Sequence, residues 1–168
     1  MKIKDRPEFK TKLAPLTYSA QTKVSEAVKE MAERNIGAVI VVNDDFTVAG
    51  IVSERDLLRR LLGQKRDPET TTLGDIMTAD VRVATAEDNL IDWLRQMSNQ
   101  RFRHLPIVDD QGKVVAMMSQ GDFVSYTWPE LLYRLRENAQ ATLGPQYPIW
   151  LIVAAIILYL FLVLLLVL

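Results

Sequence analysis

The sequence predicts an α+β head of two pseudosymmetric β-α-β-β-α motifs, followed by a connecting helix and a single transmembrane helix. Three observations lead there. The chain repeats itself at an offset of 66 residues; each copy joins a helical apolar pattern to two short apolar runs separated by a polar turn; and residues 149–168 contain no Asp, Glu, Lys or Arg. The 168 residues are 49% hydrophobic and carry a formal net charge of −1. Without the tail the composition is that of an ordinary globular domain.

The repeat aligns 17–58 with 83–124 without a gap. Seven positions are identical: Ala20 and Ala86, Met31 and Met97, Val42 and Val108, Asp44 and Asp110, Val48 and Val114, Ser53 and Ser119, Asp56 and Asp122. The first motif, 13–62, is expected to begin with a strand near 13–17. Val24, Ala27, Val28 and Met31 then fall at helical spacing, as Leu90, Trp93, Leu94 and Met97 do in the second motif, 81–127. Thr22 and Asp88 stand where a helix cap would accept a bond from the first free amides. Apolar runs at 38–42 and 48–52, and at 105–108 and 114–118, flank the polar turns 43–45 and 109–112 and read as paired strands. Ser53 and Ser119 open the closing helices. A strand near 81–84 begins the second motif.

Between the copies, 63–80 reads as a linker. Its polar stretch 63–71 is followed by Thr72-Leu73-Gly74-Asp75, the pattern of a capping box for one short turn. Pro129 opens a connecting helix over 129–143, and 144–148, with Pro145 and Pro148, breaks it before the tail. At ~1.5 Å per residue, 149–168 gives a helix roughly 30 Å long, the thickness of a bilayer's hydrocarbon core. Trp150 suits an interfacial belt, and Arg134 and Arg136 upstream favour a single-pass protein with a cytoplasmic head. A buried core helix is the alternative; packing helices rarely run so long without a charge.

Composition also excludes classes. With no Cys and only His104, disulfides, thiolate zinc sites and thiol catalysis are ruled out, and no metal site is expected. Twenty Lys and Arg against 21 Asp and Glu supply no basic field for nucleic acid.

The chemistry is expected at the strand-to-helix junctions. Gly50-Ile51-Val52-Ser53-Glu54-Arg55-Asp56 ends a strand with a hydroxyl and places a carboxylate one turn into the helix; Ala116-Met117-Met118-Ser119-Gln120-Gly121-Asp122 is its partner. A single Ser-x-x-Asp is usually a capping box. Two at equivalent junctions also suit a nucleotide, because helix amides attract an anion and a carboxylate accepts both hydroxyls of a ribose. Arg55, Arg59, Arg60, Lys65 and Arg66 make a basic stretch that reads either as a phosphate-neutralising surface or as a solvated helix face.

Over about 13–126 the chain resembles the tandem cystathionine-β-synthase-type (CBS) domain pair, or Bateman module. The resemblance is carried by Gly50 to Asp56, by Asn35-Ile36-Gly37-Ala38-Val39, by Asp75-Ile76-Met77-Thr78 and by Arg103-His104-Leu105-Pro106-Ile107-Val108; the second junction departs from the pattern at Ala116. It implies a regulatory module, not an enzyme, that takes AMP, ADP or ATP, with NAD or S-adenosylmethionine as further adenosine compounds, in the cleft between the motifs. By that resemblance the ligand-binding residues are Gly50, Ser53, Asp56, Arg103, His104, Ser119 and Asp122, with Asp56 and Asp122 on ribose and Arg103 on phosphate. It further implies a homodimer. With the tail, the expectation is a membrane-anchored adenine-nucleotide sensor acting on a membrane partner, such as an integral membrane protein complex. The alternative is a ligand-free accessory or assembly subunit of such a complex.

Overall fold

The computed structural model describes residues 1–12, 14–124 and 149–167, with side chains in the last stretch described at 151, 153–159 and 163–165. The chain divides into two units, Met1–Val124 and Ser125–Leu168.

The first unit opens with a 3-10 turn at Ile3–Asp5 and a short helix α1, Pro7–Thr11. Strand β1 (Thr17–Tyr18), helix α2 (Val24–Glu33) and strands β2 (Ala38–Val42) and β3 (Val48–Ser53) then build the first sheet. Helix α3, Glu54–Asp56, continues without a break through a π turn at Leu57–Leu61 and a 3-10 turn at Leu62–Gln64. Lys65, left-handed at φ 54°, ends it. After a short helix α4, Leu73–Ile76, the pattern recurs: β4 (Ala84–Thr85), α5 (Leu90–Gln100), β5 (His104–Val108), β6 (Val114–Ser119) and α6 (Gln120–Val124).

Each sheet has three strands, in the orders β1-β2-β3 and β4-β5-β6, with the first pair parallel and the second antiparallel. The offset of 66 holds in the pairing itself. Ala38 faces Ser53 as His104 faces Ser119, and a bulge follows Val41 as one follows Ile107. One break in the symmetry has a chemical cause. Ile40 donates its amide to the Leu16 carbonyl, whereas the matching Pro106 has no N–H, and β4 pairs only from Ala84 onward. The first strands are shorter and later than expected; of the expected 13–17, Leu13 lies outside the described residues and only Thr17 is strand.

Two separate cores result. Val24, Ala27, Met31, Val39, Val41 and Val52 are buried in the first, and Leu90, Met97, Leu105, Ile107 and Met118 fill matching places in the second. Each core is completed by a segment from outside its own motif. Leu73 and Ile76 close the first; the amides of Val24, Leu73 and Gly74 bond the carbonyls of Thr71, Thr22 and Ala20. Residues 1–6 do the same for the second, at an offset of 70. Ile3 is fully buried there, and the amides of Leu90, Ile3 and Lys4 bond the carbonyls of Met1, Asp88 and Ala86. Lys2 and Asp5 even reproduce the box of Thr72 and Asp75, the acid accepting the Lys2 amide at 3.0 Å and the Thr72 amide at 2.8 Å.

The expected caps of the two long helices lie one residue away from the positions read from the sequence. Lys23 and Asn89 are the capping residues, and Asn89 Oδ1 accepts the Ile91 amide at 2.9 Å. Asp88 is drawn elsewhere: its carboxylate accepts the Thr85 amide and Trp93 Nε1, each at 3.0 Å. Thr22 faces Ser19, with their hydroxyl oxygens 3.3 Å apart.

In the second unit, helix α7 runs Ile149–Val167. The expected transmembrane helix is not established by it: among the described residues no helix is long and apolar enough to cross a membrane. The expected connecting helix at 129–143 lies outside the described residues.

Candidate functional site

Strand β3 delivers Ser53 to the first turn of α3, and the extended backbone there, φ −118° and ψ 169°, turns the chain into the helix. The Asp56 carboxylate folds back over this turn. Its Oδ2 accepts the Ser53 amide at 2.9 Å and the Ser53 hydroxyl at 2.7 Å, while Oδ1 accepts the Thr78 hydroxyl at 3.2 Å. Arg60 Nη1 lies 3.5 Å from Oδ1 and also donates to the Ile76 and Met77 carbonyls, at 2.8 and 2.5 Å. Asp56 is thus a buried carboxylate, 8% exposed, whose charge is met by hydrogen bonds and a cation. The capping-box reading of Ser53 and Asp56 is correct as a description of the folded chain, and it leaves room for more. A carboxylate offers about four acceptor positions, and three donors plus a more distant guanidinium use them only in part.

Around this junction lies a cavity of about 530 Å³, lined by Ile51, Ser53, Glu54, Arg55, Asp56, Leu58, Arg59, Arg60, Thr78, Phe102, Arg103 and His104. The volume suits a small-molecule ligand, which ordinarily fills ~300–1,000 Å³. Four guanidiniums stand against two carboxylates, so the lining is cationic. Two of the four have structural partners: Arg60 as described, and Arg55, which donates to the Arg101 carbonyl at 2.9 Å. Burial pushes His104 below its ordinary 6.5, with Arg103 acting in the same direction and Glu54 opposing. It is therefore a neutral imidazole at pH 7.

Four of the seven expected site residues, Ser53, Asp56, Arg103 and His104, are brought together in this cavity, from both motifs. Gly50 is not in the lining. A Cβ there would come 2.5 Å from Met77 Sδ and 3.1 Å from the Thr78 carbonyl oxygen. Its role is to admit the Met77–Thr78 backbone, which bridges Ile51. Ser119 and Asp122 are not in the lining either. They form a second junction, where the Asp122 carboxylate accepts the Ser119 amide at 2.6 Å and its hydroxyl at 2.7 Å, and pairs with Lys12. Burial works to raise the Asp122 pKa, but these bonds outweigh it, with Lys12 first among them, and hold the carboxyl below its ordinary value. The expected single crevice shared by both carboxylates is not what the cavity presents. Thr78, Glu54, Phe102 and Lys12 were not singled out from the sequence. Thr78 had a signal only in the resemblance, since a threonine in an irregular segment carries no periodicity.

Two sheets related by internal repetition, with a cationic cavity where one junction meets the start of β5, define a paired-motif α+β module with a ligand-sized site. Comparison with known proteins gives the family. The CBS domain model matches residues 10–63 and again 73–128, and the chain belongs to the CBS domain family as a tandem pair. It is 38% identical over 105 residues, 60% of this chain and 50% of the relative, to the mitochondrial CBS domain-containing protein CBSX3 of Arabidopsis thaliana. It is 31% identical to CBSCBSPB1 of the same plant, covering 61% of this chain and 19% of that one. The chain thus spans half or less of these relatives. Among solved structures, the CBS-domain protein ATU1752 of Agrobacterium tumefaciens is 28% identical with a TM-score of 0.67, covering 76% of this chain and 99% of that one. CBSX2, solved in complex with AMP, is 26% identical with a TM-score of 0.60, covering 76% and 96%.

Proposed function

We propose that this CBS pair is a regulatory module that binds an adenosine nucleotide, AMP, ADP or ATP, in the Asp56 cavity and modulates a membrane partner. The observation that carries the reading is the combination in one cavity of a hydroxyl-accepting carboxylate with an excess of guanidiniums. A ribose needs the first and phosphates need the second. The AMP bound by CBSX2 supports the same ligand class. Two ribose hydroxyls on Asp56 need the Thr78 hydroxyl to turn aside, so ligand would loosen the contact between the first motif and the segment after α4. Such a change transmits a signal only if ligand binds the two arrangements unequally. The role is binding rather than catalysis, because a carboxylate held by Ser53, Thr78 and Arg60 is a poor general base.

The membrane part rests on the sequence run 149–168, which lacks any charged residue, and on the exposure of Ile156, Ile157, Leu158, Leu164 and Leu165 along α7. An exposed apolar surface of this kind calls for a cover, and lipid is the cover proposed. The test is calorimetric titration of AMP, ATP and NAD into the full chain in detergent micelles, beside Asp56→Ala. Binding below millimolar concentration that Asp56→Ala abolishes is expected; no binding by any of the three would remove the sensor reading.

One observation favours a ligand-free assembly subunit instead: both junction carboxylates already have partners within the chain. Co-purification with a membrane partner that survives nucleotide removal and Asp56→Ala would select that reading.

A further inference from the structure

The two junctions are equivalent by the repeat but not by what reaches their carboxylates. At the first, the chain after α4 stays extended, Thr78 bridges Ile51, and a neutral hydroxyl meets Asp56. At the second, the matching segment is 7–8, at the same offset of 70 that maps residues 1–6 onto 71–76. It does not stay extended. Pro7 suits the first turn of a helix, and Pro7–Thr11 is helix α1. Lys12, at the end of α1, then places its ammonium on Asp122 Oδ2. Ala116, where the first junction needs Gly50, agrees with this path. It is buried in the second core at 4% exposure.

We propose that Lys12 is a built-in occupant of the second site: its ammonium takes the acceptor position on Asp122 that a ribose hydroxyl would use, and limits the chain to one nucleotide, at Asp56. An ammonium at contact distance outcompetes a neutral hydroxyl for a carboxylate, because the bond is charge-assisted at both ends. The partly shielded setting, with side-chain exposures of 31% for Lys12 and 19% for Asp122, reduces screening by solvent.

The inference rests on the nucleotide reading above, and its test separates the two. AMP is titrated into the full chain in detergent micelles as wild type, Lys12→Gln, Asp56→Ala and the double variant. Wild type is expected to bind one AMP per chain and Asp56→Ala none. Lys12→Gln is expected to gain a second event at least roughly tenfold tighter than any residual second binding in wild type, about 1.4 kcal/mol, and the double variant to keep that event alone. Two equal events in wild type, or a stoichiometry of one in Lys12→Gln, would overturn the proposal. So would weaker binding in Lys12→Gln, which would make Lys12 a phosphate contact. If AMP binds to none of the four, the nucleotide reading fails and the occupant is judged by the carboxyl resonance of Asp122. Its titration midpoint rises in Lys12→Gln if the ammonium holds it, and stays in place if the contact is absent.

Discussion

Gly50 and Ala116 occupy matching positions 66 residues apart, and the neighbours of Gly50 explain why it has no side chain. At Gly50 an added Cβ meets Met77 Sδ, a movable atom, but also the Thr78 backbone carbonyl at 3.1 Å. Gly50→Ala is expected to cost ~1–3 kcal/mol through overpacking, measured by denaturant unfolding. Ala116→Gly is expected to cost ~1 kcal/mol through lost burial and added chain entropy, with binding at Asp56 unchanged. His104 adds a pH dependence. Its folded pKa lies below 6.5, so as pH falls through 6.5 the unfolded chain takes up a proton that the folded chain resists. Its contribution is therefore fully present above pH 6.5 and declines below it. Thermal midpoints from pH 7.5 to 5.5 should fall less steeply in His104→Gln than in wild type; equal slopes would show that His104 is not the responsible group. Asp122 acts in the same sense at lower pH, its contribution being lost as pH falls below the ordinary carboxylate value.

Among the elements, the most informative is the segment 1–6, which gives the second core what Thr71–Ile76 gives the first. Ile3→Ala is expected to cost about 2–5 kcal/mol, and hydrogen exchange should show the loss at Leu90 and along α5 while β2 and β3 keep their protection. Equal loss in both sheets would mean that the two cores are one cooperative unit. This element also marks the limit of the sequence reading. Strands β2, β3, β5 and β6 and helices α2 and α5 were legible because apolar runs on either side of a polar turn, and helical spacing, persist through both copies. The stand-in at 1–6 was not, since Asp5 and Asp75 are the only identity across it and its function depends on backbone bonds. The caps were missed by one residue for a similar reason: Asp88 has a carboxylate suited to capping, but Thr85 and Trp93 claim it. In the site, Ser53, Asp56, Arg103 and His104 were legible from motif spacing, whereas Lys12 reaches Asp122 across 110 residues that no local pattern connects.

For the molecule as a whole, the proposed anchor at 149–168 would set where the module works. Removing it is expected to move the chain from the pelleted membrane fraction to the supernatant; pelleting that persists without aggregation would discard the anchor. An anchored sensor would confine its response to partners in the same bilayer.

The order of manufacture gives the stand-in segment one more consequence. Residues 1–6 leave the ribosome before the surface that receives them exists, for Asp88 and Leu90 follow more than eighty positions later. The first half can close on Leu73 and Ile76 as soon as these emerge, while Ile3 must wait for the second half and then be retrieved over a long loop. Nascent-chain experiments should find the earlier half protease-resistant first, and Ile3 the last to find its seat.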